Sequence, residues 1–213
     1  MNIEDIATSQ IRSRFDKDYG KEGKLKSAPG ADAAYPTIEA LIDYLGTKGF
    51  EQIGDGAFSV ALHKPGTNYV LKINISPDPK YRKFIAFARK HPNNGLVPHI
   101  YKVWSAGKFF IVVTEKLDDI SGPAVGSFKL LSFGIENKIS DTKTLFKKFQ
   151  SKYGTSLEKM TQMRKGFASD QDLKEFNDWL FDLFPWRDIH EDNVMVRPST
   201  GQLVIIDPLS NPE

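Results

Sequence analysis

Hydrophobic and polar positions divide the chain into a first half rich in strands and a second half rich in helices. Between residues 50 and 117, β-branched and aromatic residues form runs that are separated by turn residues such as Pro65 and Gly66. After residue 118, apolar residues recur at the three- and four-residue spacing of amphipathic helices. This pattern predicts an α+β fold with two lobes.

The same periodicity predicts the individual elements. In the first half these are a helix over 37–46, strands over 50–63 and 68–75, a helix over 80–90, and strands over 99–104 and 109–117. In the second half they are helices over 142–153, 156–167 and 170–184, and strands over 194–197 and 202–206. Residues 1–35 are polar and are interrupted by glycine and proline, so we expect a flexible arm there. The predicted lobes are then 36–117 and 118–213.

Composition narrows the possible function classes. The 213 residues include 29 basic and 27 acidic side chains, a balance that gives no general case for binding nucleic acid or a membrane surface. There is no cysteine, which excludes disulfides, thiolate metal sites and a cysteine nucleophile. The first residues lack the apolar run of a signal peptide, and no stretch is apolar over the roughly 20 residues of a membrane span. We therefore expect a soluble, intracellular protein.

A glycine-containing turn in the first strand run is the first candidate for chemistry. Gly54 and Gly56 are one residue apart, and bare backbone of this kind can approach a phosphate so that amide N–H groups face the anion. Alone the signal is weak, because glycines in a hairpin more often serve a turn or a bulge. A dinucleotide-binding fold is disfavoured because strand continues on both sides, and a Walker loop because no Gly-Lys-Ser/Thr occurs.

Lys72 is the second candidate, since it lies within the apolar run Val-Leu-Lys-Ile. A lysine among apolar strand residues is costly to bury without a partner. One interpretation places it on the wet face of an edge strand. The other notes that its strand pairs with the glycine-bearing run, so a phosphate held at Gly54 and Gly56 would lie within reach of the ammonium group.

The strongest pattern lies between residues 187 and 207. Asp188 leads a short polar loop, Asn193 follows five positions later where the chain enters a strand, and Asp207 ends the next apolar run. An amide oxygen and a carboxylate at neighbouring strand ends form an oxygen-only site of the kind that Mg²⁺ prefers. Asp188 is then left to orient or deprotonate a hydroxyl nucleophile. His190 either fixes the loop by a hydrogen bond or also contacts phosphate.

In their order along the chain, these motifs resemble those of protein kinases, and more narrowly the early protein kinase of T7-like bacteriophages. The resemblance covers residues 54–207 and rests on four segments, namely 54–59, 96–103, 188–195 and 206–210. It implies a two-lobed kinase-like fold with a reduced helical lobe. It also implies ATP and Mg²⁺ as cofactors, with the nucleotide bound by the sheet of the first lobe.

The resemblance assigns a role to each candidate residue. Gly54, Gly56 and Ser59 would cover the ATP phosphates, and Lys72 would hold the α- and β-phosphates. Asp188 would be the catalytic aspartate, with His190 beside it. Asn193 and Asp207 would bind Mg²⁺. The connector that includes Glu115 and Leu117 would meet adenine with its backbone. The activity implied is phosphorylation of serine and threonine in host bacterial proteins, including transcription and RNA-processing machinery. Shutoff of host transcription in the host cytoplasm would follow, with no direct binding to nucleic acid or membrane.

The sequence departs from the kinase pattern at several points. No glutamate occurs between Lys72 and Glu115 to form the usual ion pair, and Asp78 is the only acid in that stretch. The triplet that begins at Asp207 is Asp-Pro-Leu rather than Asp-Phe-Gly, and His190 stands where protein kinases commonly have lysine. The chain ends six residues after Asp207, so we expect substrate recognition to use a surface other than an activation segment.

These departures leave two alternatives to a protein kinase. The missing glutamate favours a nucleotide-binding pseudokinase that inhibits a host protein by binding it. His190 favours a small-molecule phosphotransferase of the aminoglycoside-phosphotransferase type.

Overall fold

The computed structural model describes residues 38–56, 59–74, 78–106, 109–182 and 187–209. The predicted arm over 1–35 lies outside these ranges. Within them, the residues up to Asp78 together with Ile100–Lys116 form one compact unit. Pro79–His99 and the residues from Leu117 onward form the other.

The first unit is an antiparallel sheet with one helix. Its elements are helix α1 (Ile38–Gly46) and strands β1 (Glu51–Gly56), β2 (Ser59–His63), β3 (Tyr69–Asn74), β4 (Ile100–Ala106) and β5 (Phe109–Glu115), and the strand order is β1-β2-β3-β5-β4. One face of the sheet forms an apolar core with α1, in which Leu45, Leu71 and Ile111 are fully buried. This core leaves the opposite face of the sheet for other contacts, because side chains alternate along a strand.

The predicted strand over 50–63 is in fact two strands that form a hairpin. β1 and β2 pair antiparallel, and Gly56 opposite Ser59 is the last pair before the connection. The apolar pattern is interrupted by Gly54, Asp55 and Gly56, and this interruption is where the first strand ends. The register also shifts between Gln52 and Gly54, so β1 carries a β-bulge beside the first glycine.

The second unit is mainly helical. Its elements are helices α2 (Pro79–Lys90), α3 (Pro123–Glu136), α4 (Thr142–Tyr153), α5 (Leu157–Arg164) and α6 (Asp170–Asp182), and strands β6 (Asp118–Asp119), β7 (Val194–Arg197) and β8 (Gln202–Ile205). The three strands form a small antiparallel sheet in the order β6-β7-β8. The predicted α+β class, with a strand-rich part and a helical part, is confirmed. Among the described residues, none of the helices combines the length and apolarity needed to cross a lipid bilayer.

Aromatic contacts place α2 with the helical unit, whereas the predicted lobe 36–117 included this helix with the sheet. The Phe87 ring stacks on Trp179 of α6 with 4.6 Å between centroids, and it also contacts Phe176. Phe84 packs on the same tryptophan at 6.0 Å. The apolar face of α2 is therefore buried against α6, and this burial decides where the helix belongs.

Helix α3 was not predicted, although the other helices of the second half were. Seven of its fourteen residues are buried, so its apolar residues do not form the single stripe on which periodicity depends. Gly126 and Gly134 also interrupt the pattern. A Cβ atom at Gly134 would lie 3.1 Å from Leu145 Cδ2 on α4, and one at Gly126 would lie 3.0 Å from Met163 Cε on α5. These glycines therefore serve close helix packing, although in sequence they look like helix breakers.

Candidate functional site

The register of the first sheet puts Gly54 and Lys72 on one face. Gly54 pairs with Ala61, Ala61 pairs with Lys72, and Lys72 pairs with Val112. Directly paired residues point to the same face, so this row crosses four strands on the side opposite the α1 core. At about 4.8 Å per strand, the Gly54 backbone and the Lys72 backbone are roughly 10 Å apart. That separation is within the span of a long lysine side chain and a phosphate group.

The next row on this face contains Gly56, Ser59 and Asn74. Gly56 pairs with Ser59, and Ser59 pairs with Asn74. The Asn74 side chain is buried, and its Nδ2 donates to the carbonyl oxygen of Phe110 at 2.9 Å. Ser59 is half-buried. Its hydroxyl therefore lies on the same side of the sheet as the Lys72 ammonium group.

Among the residues that the structure describes, no packing contact requires glycine at position 54 or 56. Neither residue has a positive φ angle. A Cβ atom at Gly56 would come no closer than 3.6 Å to Ser59 Oγ, and one at Gly54 would lie 3.9 Å from the Ala61 Cβ. Both distances are ordinary van der Waals contacts. A ligand can therefore come close to the amide groups of these glycines, because no side chain intervenes.

The structure rules out the interpretation of Lys72 as an edge-strand residue. β3 lies between β2 and β5, in the middle of the five-stranded sheet. Lys72 is half-buried, while Leu71 and Ile73 on either side of it are buried in the α1 core. The lysine therefore points to the face that carries the glycine row, as the phosphate-binding hypothesis requires.

Backbone hydrogen bonds gather the polar loop of the second unit around Asp207. The N–H of Asp188 donates to the carbonyl of Pro208 at 2.8 Å, and the N–H of Ile206 donates to the carbonyl of Asn193 at 2.9 Å. Asp207 lies between Ile206 and Pro208, so one bond on each side ties it to Asp188 and to Asn193. The predicted grouping of Asp188, Asn193 and Asp207 is present in the fold.

The Asn193 side chain is oriented by two acceptors. Its Nδ2 donates to the backbone oxygen of Asp188 at 2.9 Å and lies 2.9 Å from His190 Nε2. An amide nitrogen has two hydrogens, and this arrangement uses both. Within the part of the chain that the structure describes, Asn193 Oδ1 makes no hydrogen bond. That oxygen is available as a ligand.

The donor set fits a hard cation such as Mg²⁺. Asn193 Oδ1 and the carboxylate of the adjacent Asp207 are both oxygen ligands, and Mg²⁺ in proteins is commonly held by one or two such groups together with water and phosphate oxygens. Within the described ranges, no group of three or more His, Asp or Glu side chains could hold a metal by itself. A site of this kind would rely on nucleotide phosphates for its remaining ligands.

His190 links the acidic groups of the loop. Its Nε2 is 3.4 Å from Asp188 Oδ1, and its Nδ1 is 3.5 Å from Asp192 Oδ2. Because Nε2 also accepts from Asn193, the neutral ring carries its proton on Nδ1, facing Asp192. These contacts agree with the loop-fixing interpretation of His190. A contact of His190 with phosphate stays a prediction.

The predicted adenine connector follows β5. Glu115 is the last residue of that strand and pairs with Tyr69, and the N–H of Lys116 donates to the carbonyl of Asn68 at 2.7 Å. Leu117 is buried and precedes β6. The assignment of Glu115 and Leu117 to adenine binding stays a prediction.

A second set of residues, which was not predicted, supports the β7–β8 hairpin. The carbonyl of Leu96 accepts from the N–H of Ile205 at 2.8 Å, and the Arg197 guanidinium donates to the carbonyls of Gly95 and Val97. Asn94, which is buried, holds the same segment by accepting from the N–H of Leu96. The signal in the sequence was the polar run His-Pro-Asn-Asn-Gly, which indicates only that the helix ends.

A protein family and a solved structure are similar to this chain. The family model described as bacteriophage T7 protein kinase 0.7 matches residues 17–213. Among solved structures, the chain is similar to the crystal structure of the aminoglycoside phosphotransferase APH(4)-Ia, with 14% identity and a TM-score of 0.33. That similarity covers 47% of this chain and 38% of the other. No curated protein matches the chain.

Proposed function

This chain belongs to the bacteriophage T7 protein kinase 0.7 family, and from that premise we propose that it is an ATP- and Mg²⁺-dependent protein kinase. Its substrates are serine and threonine residues of host bacterial proteins. The observation that supports this best is the orientation of Asn193, whose Nδ2 is held by Asp188 and His190 while Oδ1 is left available beside Asp207.

In this proposal the loop residues have separate tasks. Asn193 and Asp207 hold Mg²⁺, which neutralises charge on the phosphate oxygens when it is bound. Asp188 orients the acceptor hydroxyl and takes its proton as the hydroxyl oxygen bonds to the γ-phosphorus. The bond from that phosphorus to the β–γ bridging oxygen breaks, and ADP leaves. His190 accepts a hydrogen bond from the Asn193 amide and so positions the metal ligand.

The sheet residues bind the nucleotide. The backbone at Gly54 and Gly56 and the hydroxyl of Ser59 cover phosphate oxygens, and the Lys72 ammonium group binds the α- and β-phosphates. The register supports this assignment because these residues share one face of the sheet. The backbone next to Glu115 and Leu117 contacts adenine.

The proposed setting is the cytoplasm of an infected bacterium. Host transcription or RNA-processing proteins are the substrates, and their phosphorylation helps to shut off host transcription early in infection. The family's phage origin supports this setting.

A small-molecule phosphotransferase is the second candidate function. It is favoured by His190, which stands at the position where protein kinases commonly have lysine and which contacts Asp188.

One experiment distinguishes these functions. The purified protein is incubated with Mg²⁺, γ-labelled ATP and a host lysate, and the lysate is then separated into protein and small-molecule fractions. We expect labelled protein bands that yield phosphoserine and phosphothreonine on acid hydrolysis, and much weaker labelling with Asp188→Asn. Label confined to small molecules would favour the second candidate. Host protein that is captured tightly without any label would indicate a pseudokinase.

A further inference from the structure

Charge is divided unevenly within the helical unit. Residues 123–165, which form α3, α4 and α5, contain nine Lys and Arg but only three Asp and Glu. Residues 166–213 contain ten Asp and Glu but only three Lys and Arg. The whole chain is therefore nearly neutral although its three-helix region is basic. A basic region attracts acidic partners and accelerates their association.

This basic region contains a groove of about 650 Å³. One side of α3 forms the floor with Phe128 and Phe133, and Phe149 and Tyr153 at the end of α4 form one wall. Lys129 and Lys159 also line the groove. We refer to this feature as the α3–α5 groove. Its volume is sufficient for one or two apolar side chains of a ligand.

Aromatic rings of the α3–α5 groove form a continuous cluster that extends to solvent. The Phe133 and Phe149 centroids are 5.5 Å apart, and those of Phe149 and Tyr153 are 4.7 Å apart. Tyr153 is 55% exposed, whereas Phe133 and Phe149 are 7% and 4% exposed. Tyr153 is therefore the ring through which this cluster meets solvent, and exposed aromatic side chains are typical of protein-binding surfaces.

Lysines border this aromatic cluster. Lys152 Nζ lies 5.1 Å from the centroid of Phe133 and 5.3 Å from that of Tyr153. Lys129 and Lys159 are exposed on α3 and α5. The surface thus combines an apolar floor with a cationic border.

The helices that carry the groove are fixed by their own contacts. Gly154 ends α4 in the left-handed conformation, and Ser156 caps α5 by accepting from the N–H of Lys159. Ser127 Oγ on α3 donates to the carbonyl of Met163 on α5 at 3.1 Å. A groove that is already formed loses little conformational entropy when a ligand binds.

We propose that the α3–α5 groove docks an acidic segment of a partner protein. An apolar side chain of that segment inserts among Phe133, Phe149 and Tyr153, and its carboxylates meet Lys129 and Lys159. A nucleic acid is the alternative ligand of a basic groove, and the test below includes it, because Glu136, which also lines the groove, repels carboxylates and phosphates alike. This docking does not require phosphoryl transfer, so it can be tested separately from the proposed function.

The test uses fluorescence polarisation with a labelled peptide in which a central Phe-Leu pair is flanked on both sides by glutamates. We expect saturable binding that weakens with added salt and is lost when Phe-Leu becomes Ser-Ser or when the glutamates become lysines. A single-stranded RNA of equal charge should not compete. Absence of peptide binding, equal binding of the Ser-Ser peptide, or displacement by the RNA would each overturn the proposal.

Two charge-matched variants locate the site. Lys129→Glu/Lys159→Glu reverses two groove lysines, and Lys143→Glu/Lys147→Glu reverses two exposed lysines of α4 that do not line the groove. Both have the same net charge, so long-range attraction changes equally. We expect roughly tenfold or greater loss of peptide affinity in the first variant and less than about threefold in the second. Equal losses would show that the peptide senses only net charge. Because all four side chains are exposed, unchanged melting curves are the check on folding.

Discussion

The two regions that we assign to phosphoryl transfer are held in place by different means. In the sheet, Gly54 and Lys72 owe their positions to backbone register, since each is one member of a paired row across antiparallel strands. In the loop, the side chain of Asn193 is held by hydrogen bonds from its amide to His190 Nε2 and to the Asp188 carbonyl. The sheet fixes its functional residues through the backbone, whereas in the loop their side chains are also connected.

This difference has an energetic consequence. A side chain in the sheet can be replaced without moving its neighbours, because the backbone ladder stays intact. In the loop, removal of one partner leaves the next one without its acceptor or donor, so effects propagate. Substitutions in the loop should therefore have larger, non-additive effects on the rate of phosphoryl transfer. Substitutions in the sheet should have smaller effects that stay local.

The largest effect is expected for Asp207→Asn. The substitution keeps the size of the side chain and removes the negative charge of one proposed Mg²⁺ ligand, so phosphoryl transfer should fall below detection. Without nucleotide the melting curve should change little, because Asp207 is partly exposed. The matched control is Asp182→Asn on the surface of α6, which should retain full activity. A fully active Asp207→Asn enzyme would refute the metal assignment.

Asp188→Asn should have the next largest effect. The substitution removes the proposed proton acceptor, so the rate of phosphoryl transfer should fall by a factor of roughly 10²–10⁴. The backbone carbonyl of residue 188 still accepts from the Asn193 amide. Nucleotide binding, measured as ATP-dependent thermal stabilisation, should be retained. The variant also tests the biology when its effect on host growth or transcription is compared with that of the parent. An effect that persists without transfer would show that the protein acts by binding.

His190→Ala tests the connection within the loop. Loss of the Nε2 acceptor frees the Asn193 amide to rotate, so we expect about a tenfold slower rate and a higher Mg²⁺ concentration for half-maximal activity. Because both substitutions disturb the same ligand, His190→Ala/Asn193→Ala should be no slower than Asn193→Ala alone. Effects that multiply, with an unchanged Mg²⁺ requirement, would show that His190 acts independently of Asn193.

The sequence predicted the parts of this molecule in which a local pattern determines the structure. The helix over 142–153 and the strand over 194–197 have the predicted bounds, because amphipathic spacing and strand alternation are local properties. The grouping of Asp188, Asn193 and Asp207 followed from a loop and a hairpin that are close in sequence. The strand pairing of Lys72 was predicted only coarsely, because the division of 50–63 into two strands was not recognised.

Features that depend on distant contacts could not be predicted in this way. Helix α3 is buried on most sides, so it lacks the stripe that marks an amphipathic helix. The membership of α2 in the helical unit depends on Trp179, which lies about ninety residues further along the chain. The orientation of Asn193 depends on which atoms of His190 and Asp188 face it, and residue spacing does not determine this.

A smaller effect is expected for Lys72→Met in the sheet. The change removes a charge-assisted contact with phosphate, which is worth roughly 1.5–3 kcal/mol, so ATP-dependent thermal stabilisation should shrink. The melting temperature without ATP is measured for the parent and for the variant, so that stabilisation by ATP is compared within each protein. The matched control is Lys64→Met in the connection between β2 and β3. Stabilisation by ATP that equals the parent's would show that Lys72 does not bind the nucleotide.

The smallest effect is expected away from both regions, at Glu175 on α6. Its carboxylate accepts from Gln171 Nε2 at 2.6 Å and from Asn94 Nδ2 and His91 Nδ1 at 3.2 Å each. The hydrogen bond from Gln171, followed by the one from Asn94, holds the pKa of Glu175 below its usual value of 4.5. A depressed pKa contributes stability that is complete above the usual pKa and is lost as pH falls through the folded-state value.

Glu175→Gln should therefore destabilise the protein at neutral pH by less than about 1 kcal/mol, since the group is partly exposed. The difference from the parent should shrink as pH falls below 4.5 and vanish once the parent's carboxyl is protonated. Urea unfolding at a series of pH values measures this trend. Glu158→Gln, an exposed acid on α5, is the control and should show no such trend. A destabilisation by Glu175→Gln that is constant with pH would mean that the side chain acts through its shape. The contact of Glu175 on α6 with His91 and Asn94 would then not depend on the charge of the carboxylate.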